Sequence, residues 1–262
     1  MASIQSLKDR VKHYQELTDY KLMRHVPQVI IINGRNFAKV SSLVSKPFSI
    51  DMMAVMCSSM LKLFQTIDGS VLAYTFSDEI VLISRNDQNA DTQQMYDGRI
   101  QKIISMASSV ASLEFSAKAK EKNIKLFDDP VFTAQVFTLP NLSEVISLFV
   151  HKQNQCYNYS LNSACFHELS KRYDFSTVRE TLSDKTSEEK IEILKDEFDI
   201  HFSNDYPLPF RHGVLSYRRT VPSDNNQIKN KLILDIEVPI ISKNQSFIKN
   251  ILVSGKDILR EE

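Results

Sequence analysis

The sequence has no excess of charge: 32 Lys and Arg residues balance 32 Asp and Glu residues over 262 positions. Overall charge therefore gives no argument for a nucleic-acid partner, and any such contact must come from a local patch. Cysteine is scarce as well. Cys57, Cys156 and Cys165 sit in apolar or helical surroundings without paired spacing, which excludes a disulfide scaffold and fits a reducing, cytoplasmic setting. No window approaches the roughly 20 apolar residues of a membrane span, and the stretch from Met1 to Arg10 lacks an apolar signal core, so a soluble chain with no membrane partner is expected. There is no P-loop and no G-x-S-x-G elbow, and internal repeats and low-complexity tracts are missing too.

What is present is a set of alternating strand and helix signals in a chain long enough to bury a sizeable core. Ile4, Leu7, Val11, Tyr14 and Leu17 recur at helical spacing among charged residues, giving an amphipathic first helix that needs a partner surface. Val29 to Ile32 is a strand ending in Asn33-Gly34-Arg35-Asn36-Phe37, where Asn-Gly is also a frequent turn dipeptide. Ser49 and Asp51 open a helix with Met53, Met56, Met60, Leu63 and Ile67 on one face, closed by Asp68-Gly69. Val71 to Phe76 and Ile80 to Ile83 form a hairpin whose tip is Ser77-Asp78-Glu79.

Asp97 opens a further helix, and Val131 to Leu139 supplies a fourth strand. The resulting order is the βαββαβ, ferredoxin-like arrangement of a polymerase palm, an α+β fold. Asn141 with Glu144 and Thr186 with Glu189 have capping-box spacing ahead of two later helices. Val214 to Arg218 and Leu232 to Val238 read as a terminal β-hairpin around a polar turn at Ser223 to Asn226. The expected division is an N-terminal helix at 1–26, a palm-like catalytic domain at 27–140, and a helical appendage with terminal strands at 141–262.

Phosphoryl transfer on a palm needs carboxylates at strand ends, close enough to hold divalent ions on nucleotide phosphates. Asp78 is the natural ligand, with Glu79 as a support group. On local pattern alone, Ser77-Asp78-Glu79 is equally an ordinary polar tip. Gly34 permits close approach of backbone to an ion or phosphate, and the Asn33 amide oxygen can ligate a hard cation, though without charge. Lys46, before Pro47 and Phe48, can place an ammonium on a triphosphate or simply be solvated. His151, Cys156, Cys165 and His167 lie on one expected helix whose face-sharing pairs are roughly 16–21 Å apart along the axis, so they cannot converge on zinc.

Taken in order, several segments resemble the tRNA-His guanylyltransferase superfamily, especially its Thg-like branch of 3′-to-5′ polymerases. They are Leu7-Lys8-Asp9-Arg10 with Tyr14, Pro27 to Ile30, Asn33 to Phe37, Lys46-Pro47-Phe48, Val71 to Ile80, Val136-Phe137, Lys152-Gln153 and Arg211-His212-Gly213. The resemblance implies magnesium-dependent transfer of nucleotides from GTP or ATP to the 5′ ends of tRNA, in repair or maturation, by a homo-oligomer, dimer or tetramer. It implies catalytic roles for Asp78, Glu79 and Asn33, with magnesium on Asn33, Gly34 and Asp78 in a two-metal site. Gly34, Arg35, Asn36, Phe37, Lys46 and Ser77 would bind nucleotide, and Lys152, Asn158 and Arg211 would contact RNA.

This chain departs from the family pattern where it has Asn33 for an aspartate, Ala38 for a histidine, Thr133 and Gln135 for an aspartate and an arginine, His151-Lys152-Gln153 for Trp-Arg-Gln, and Asn158-Tyr159-Ser160 for Arg-Asn-Ser. Lost charge at the metal position leaves two readings: an active nucleotidyltransferase, or a catalytically degenerate member that binds nucleotide or tRNA, or acts through a protein partner.

Overall fold

The computed structural model describes residues 6–88, 91–222 and 228–254. A helix, α1 (Leu7–Glu16), is followed by strand β1 (Gln28–Gly34), the single turn α2 (Phe37–Val40) and the long helix α3 (Ile50–Thr66). The hairpin β2 (Ser70–Phe76) and β3 (Glu79–Ser84) leads to α4 (Ile100–Glu121), β4 (Phe132–Thr138) and α5 (Leu142–Leu169). Helices α6 (Phe175–Ser183), α7 (Ser187–Phe198), α8 (Phe202–Asp205) and α9 (Leu208–His212) precede strands β5 (Val214–Pro222) and β6 (Ile228–Asp235) and a last helix, α10 (Gln245–Ser254).

The strands make one antiparallel sheet in the order β4-β1-β3-β2-β5-β6. Its first four strands have the ferredoxin-like order expected from the sequence. The terminal hairpin extends this sheet by pairing β5 with β2; the polar turn expected at Ser223 to Asn226 lies outside the described residues.

The central strands are near-continuous apolar runs because both faces of the sheet are covered. On one face, α3 and α4 pack over Ile30, Ile32, Ala73, Ile80 and Leu82. Helix α4 buries Ile103, Ala107, Ala111, Phe115 and Ala119, a row at i, i+4 spacing whose small side chains bring the helix close to the strands. On the other face, the first half of α5 and α10 cover Val29, Ile31, Leu72, Tyr74, Val81 and Ile83. The second half of α5 has its own small core with α6, α7 and α8, centred on Leu161, Ala164, Leu194 and Phe202.

Local signals account for most helix starts. Ser49 caps α3 by accepting from the Met52 amide, and Asn141 caps α5 by accepting from the Glu144 amide. At α7 both halves of the capping box form between Thr186 and Glu189. Asp97 behaves differently from the sequence reading. It adopts a left-handed backbone conformation in a short 3-10 turn, and α4 starts three residues later. Its carboxylate is taken by Lys21 and Arg24, which tie the segment before β1 to this turn. Helix α1 has the expected apolar spacing, but Leu7, Val11 and Tyr14, with Leu17 just past its end, are all exposed; Ile4 lies outside the described residues. No helix among the described residues is long and apolar enough to cross a membrane.

Candidate active site

Strand register brings the candidate residues to one end of the sheet. Asn33 pairs directly with Glu79 on β3 and with Thr133 on β4, so these three side chains lie on the same face, the one that α5 covers further along. Asn33-Gly34 is thus not a turn; both residues belong to the β1 ladder. Ser77 and Asp78 form the loop between Phe76 and Glu79, with Ser77 at a φ of +50°. The Gly34 amide donates to the Asp78 carbonyl at 3.0 Å, which locks the hairpin tip against the end of β1.

Gly34 is required for packing. A Cβ there would lie 2.3 Å from the Phe37 ring, which is buried against Phe115 and Phe132. Phe37 is therefore a core residue that also lines the site, whereas Arg35 and Asn36 are exposed beside it.

Asp78 opens onto a cavity of about 340 Å³ between the hairpin tip, α2, α3 and α9. This volume lies within the range of small-molecule sites. One wall is aromatic: Phe48 stacks on Phe210 with centroids 4.8 Å apart at 14°, and meets Tyr206 edge-on. Met52, Met53 and Met56 form an adaptable floor, and Tyr159 stands exposed at the rim. The polar lining includes Lys46, Ser77 and Asp78. The cavity thus combines flat aromatic surface suited to a nucleobase with polar groups suited to phosphates.

The two acidic residues have different surroundings. Burial raises the Asp78 carboxyl above its usual 3.8, opposed by its own backbone amide and by the Ser77 hydroxyl. No cation among the described residues forms an ion pair with it. Glu79 is already compensated: Lys152 Nζ lies 2.8 Å from both carboxylate oxygens and donates to Oε2. A hard cation takes oxygen ligands and seeks uncompensated charge, so the donors at these strand ends fit such an ion at Asp78. Among the described residues, no three His, Cys, Asp or Glu side chains converge on a common metal position.

Residues assigned to RNA from the sequence have other partners here. Lys152, on α5, is buried and held by Glu79. Arg211 donates through Nε to the Tyr206 carbonyl. Asn158 is exposed and accepts from Ser187. The Arg211-His212-Gly213 segment acts as a clamp: the His212 carbonyl accepts from Tyr74, His212 Nδ1 lies 2.9 Å from the Val238 carbonyl, and Gly213, at φ +74°, sits where any Cβ would strike the Tyr74 ring. The clamp fixes the neighbouring Pro209 and Phe210 in the cavity wall. Gln153 acts similarly, binding the Pro239 carbonyl and the Ile241 amide.

The aromatic wall was not singled out from the sequence. Phe48 and Phe210 are 162 positions apart in the chain, and only the return of α9 beside β2 makes them neighbours.

A palm sheet with a nucleotide-sized cavity beside an acidic hairpin tip defines a nucleotide-handling domain of the polymerase-palm class. Comparison with known proteins gives the family. Residues 8–140 match the tRNAHis guanylyltransferase family, and the chain belongs to it. It is 26% identical over 199 residues to the tRNA(His) guanylyltransferase of Debaryomyces hansenii, covering 72% of each chain. The fold matches that of a bacterial tRNA(His) guanylyltransferase-like protein in complex with ATP at a TM-score of 0.81 and 24% identity, covering 94% of this chain and 98% of the other. A GTP complex of such a bacterial protein gives a TM-score of 0.77 at 22% identity, with the same coverage.

Proposed function

We propose that this protein is a magnesium-dependent nucleotidyltransferase that adds nucleotides to tRNA 5′ ends in the 3′-to-5′ direction, in repair or maturation. The observation that carries the reading is the cavity: the Phe48–Phe210 stack shares one lining with Asp78, Lys46 and Ser77, in a member of a nucleotidyltransferase family. The ATP and GTP complexes of the bacterial relatives support both nucleotides as ligands here.

In this reading the incoming base stacks on Phe48 and beneath Tyr159. Lys46 and the Ser77 hydroxyl hold the triphosphate, orienting the nucleotide so that its 3′-hydroxyl faces an activated RNA 5′ end. The oxygen of that hydroxyl attacks the 5′ phosphorus and loses its proton to solvent, and the bond to the leaving group breaks, pyrophosphate from a triphosphate end or AMP from an adenylylated one. Magnesium, when bound at Asp78 and the Gly34 backbone, supplies the Lewis acidity that neutralises charge on the phosphates. Asp78 must be ionised for this. The Gly34-to-Asp78 hydrogen bond keeps the loop in place throughout.

Arg35, exposed beside the tip, and Thr133 and Gln135 on the edge strand offer a surface for the RNA end. The apolar row on α1 supports self-association into a dimer or tetramer, and three free, buried cysteines support a cytoplasmic setting.

The test incubates the protein with magnesium, labelled nucleoside triphosphates, and tRNAs that are intact or lack their first 5′ nucleotide. Label is expected at the 5′ end of the truncated tRNA and to be abolished by Asp78→Asn. The neutral Asn33 favours a second reading, a binding protein without catalysis. Nucleotide binding with no transfer, by this chain and by Asn33→Asp alike, would establish it.

A further inference from the structure

A two-ion phosphoryl-transfer site needs carboxylates that together draw two divalent cations. In this chain the position beside Glu79 is the neutral Asn33. The structure adds that Glu79 is not available either. Lys152 Nζ is 2.8 Å from both of its oxygens, and the two side chains are only 10% and 15% exposed, Lys152 first. The helix is anchored beside it: the next residue, Gln153, is bonded to Pro239 and Ile241. Withdrawing Lys152 would leave a largely buried carboxylate uncompensated, which is strongly unfavourable. A cation approaching the Asn33–Glu79 position therefore meets a fixed positive charge and an uncharged amide. At the hairpin tip, by contrast, Asp78 has no cation paired with it among the described residues.

We infer that this chain holds a single divalent ion with its nucleotide, at Asp78, because the Asn33–Glu79 position offers no free negative charge for a second. Lys152 contributes to this by neutralising Glu79. The inference rests on the nucleotide-transfer reading of the site.

The test counts ions rather than products. The full chain is titrated with Mn²⁺ and a non-hydrolysable ATP analogue, bound Mn²⁺ is counted by electron paramagnetic resonance, and nucleotide binding is followed separately by calorimetry. About one ion per bound nucleotide is expected, rising to about two when Asn33→Asp and Lys152→Met are combined. Lys152→Met alone lowers stability, so Asn33→Asp alone is a second arm; it leaves the Glu79 pair intact and is expected to take the second ion on the order of tenfold more weakly than the double variant. Two ions per nucleotide in the unchanged chain would overturn the inference and leave the nucleotide reading standing. One ion in a double variant with native circular dichroism would overturn it as well. If no nucleotide binds under any condition, the nucleotide-transfer reading fails and takes this inference with it.

Discussion

At the scale of single residues, Asp78 sets function against stability. Its proton is held more tightly in the folded chain than in the unfolded one, so ionising it costs stability. The cost is absent below the unfolded value near 3.8, grows as pH rises through the raised folded value, and is complete above it. Asp78→Asn should therefore abolish transfer and, in metal-free buffer at neutral pH, raise the melting temperature, by roughly 2–4 °C per kcal/mol relieved. Calorimetry at pH 7 and at pH 3.5 checks the sign: the gain should vanish at the lower pH. Gly34 makes a second prediction. Gly34→Ala would drive a methyl to 2.3 Å from the Phe37 ring, so urea denaturation should show a loss of about 1–3 kcal/mol, and nucleotide affinity should fall as the Phe37 side of the cavity shifts.

At the scale of elements, the Lys152–Glu79 pair joins α5 to the start of β3, and it is buried enough to matter. Lys152→Met should cost about 3 kcal/mol in chemical denaturation, because Glu79 is left charged and unpartnered. Adding Glu79→Leu should recover much of it, which a double-mutant cycle would measure. The join between α9 and the loop before α3 makes a different forecast. Phe48→Ala and Phe210→Ala each remove one face of the stack, so the Kd for ATP should rise about tenfold, equivalent to roughly 1.4 kcal/mol, in a calorimetric titration.

Much of this level was legible from the chain. Ser49, Asn141 and Thr186 announce helices because a capping oxygen serves the nearest unpaired amides, a purely local arrangement. Asp97 misled for the same reason: it has the chemistry of a cap, but Lys21 and Arg24, more than 70 positions upstream in the chain, compete for its carboxylate and win. Asn33-Gly34 read equally as a turn because the neighbouring strands that make it a ladder are not adjacent in sequence.

At the scale of the whole molecule, the covered sheet and the uncovered α1 belong together. The sheet is buried on both faces within one chain, while α1 leaves its apolar row in solvent. Replacing Leu7, Val11 and Tyr14 together by Ser should thus leave thermal unfolding of the dilute chain within about 0.5 kcal/mol of the unchanged protein, since surface changes that remove no packing cost little. The same replacement should lower the oligomeric state seen by light scattering at high concentration.

The chain alone fixed the order of the palm's strands and its two long helices, hence the palm topology, and it placed Asp78 at a hairpin tip; periodicity, caps and glycine breaks act over a few residues and can be read in line. It also determined the absence of a negative charge at position 33. The tertiary structure alone decided what surrounds those charges. It set Lys152 on Glu79 across 73 positions, left Asp78 half-buried with no cation paired to it among the described residues, and brought Phe48 to Phe210 in the wall of a cavity. Burial and charge pairing depend on contacts between segments distant in the chain, and those exist only once the sheet has folded.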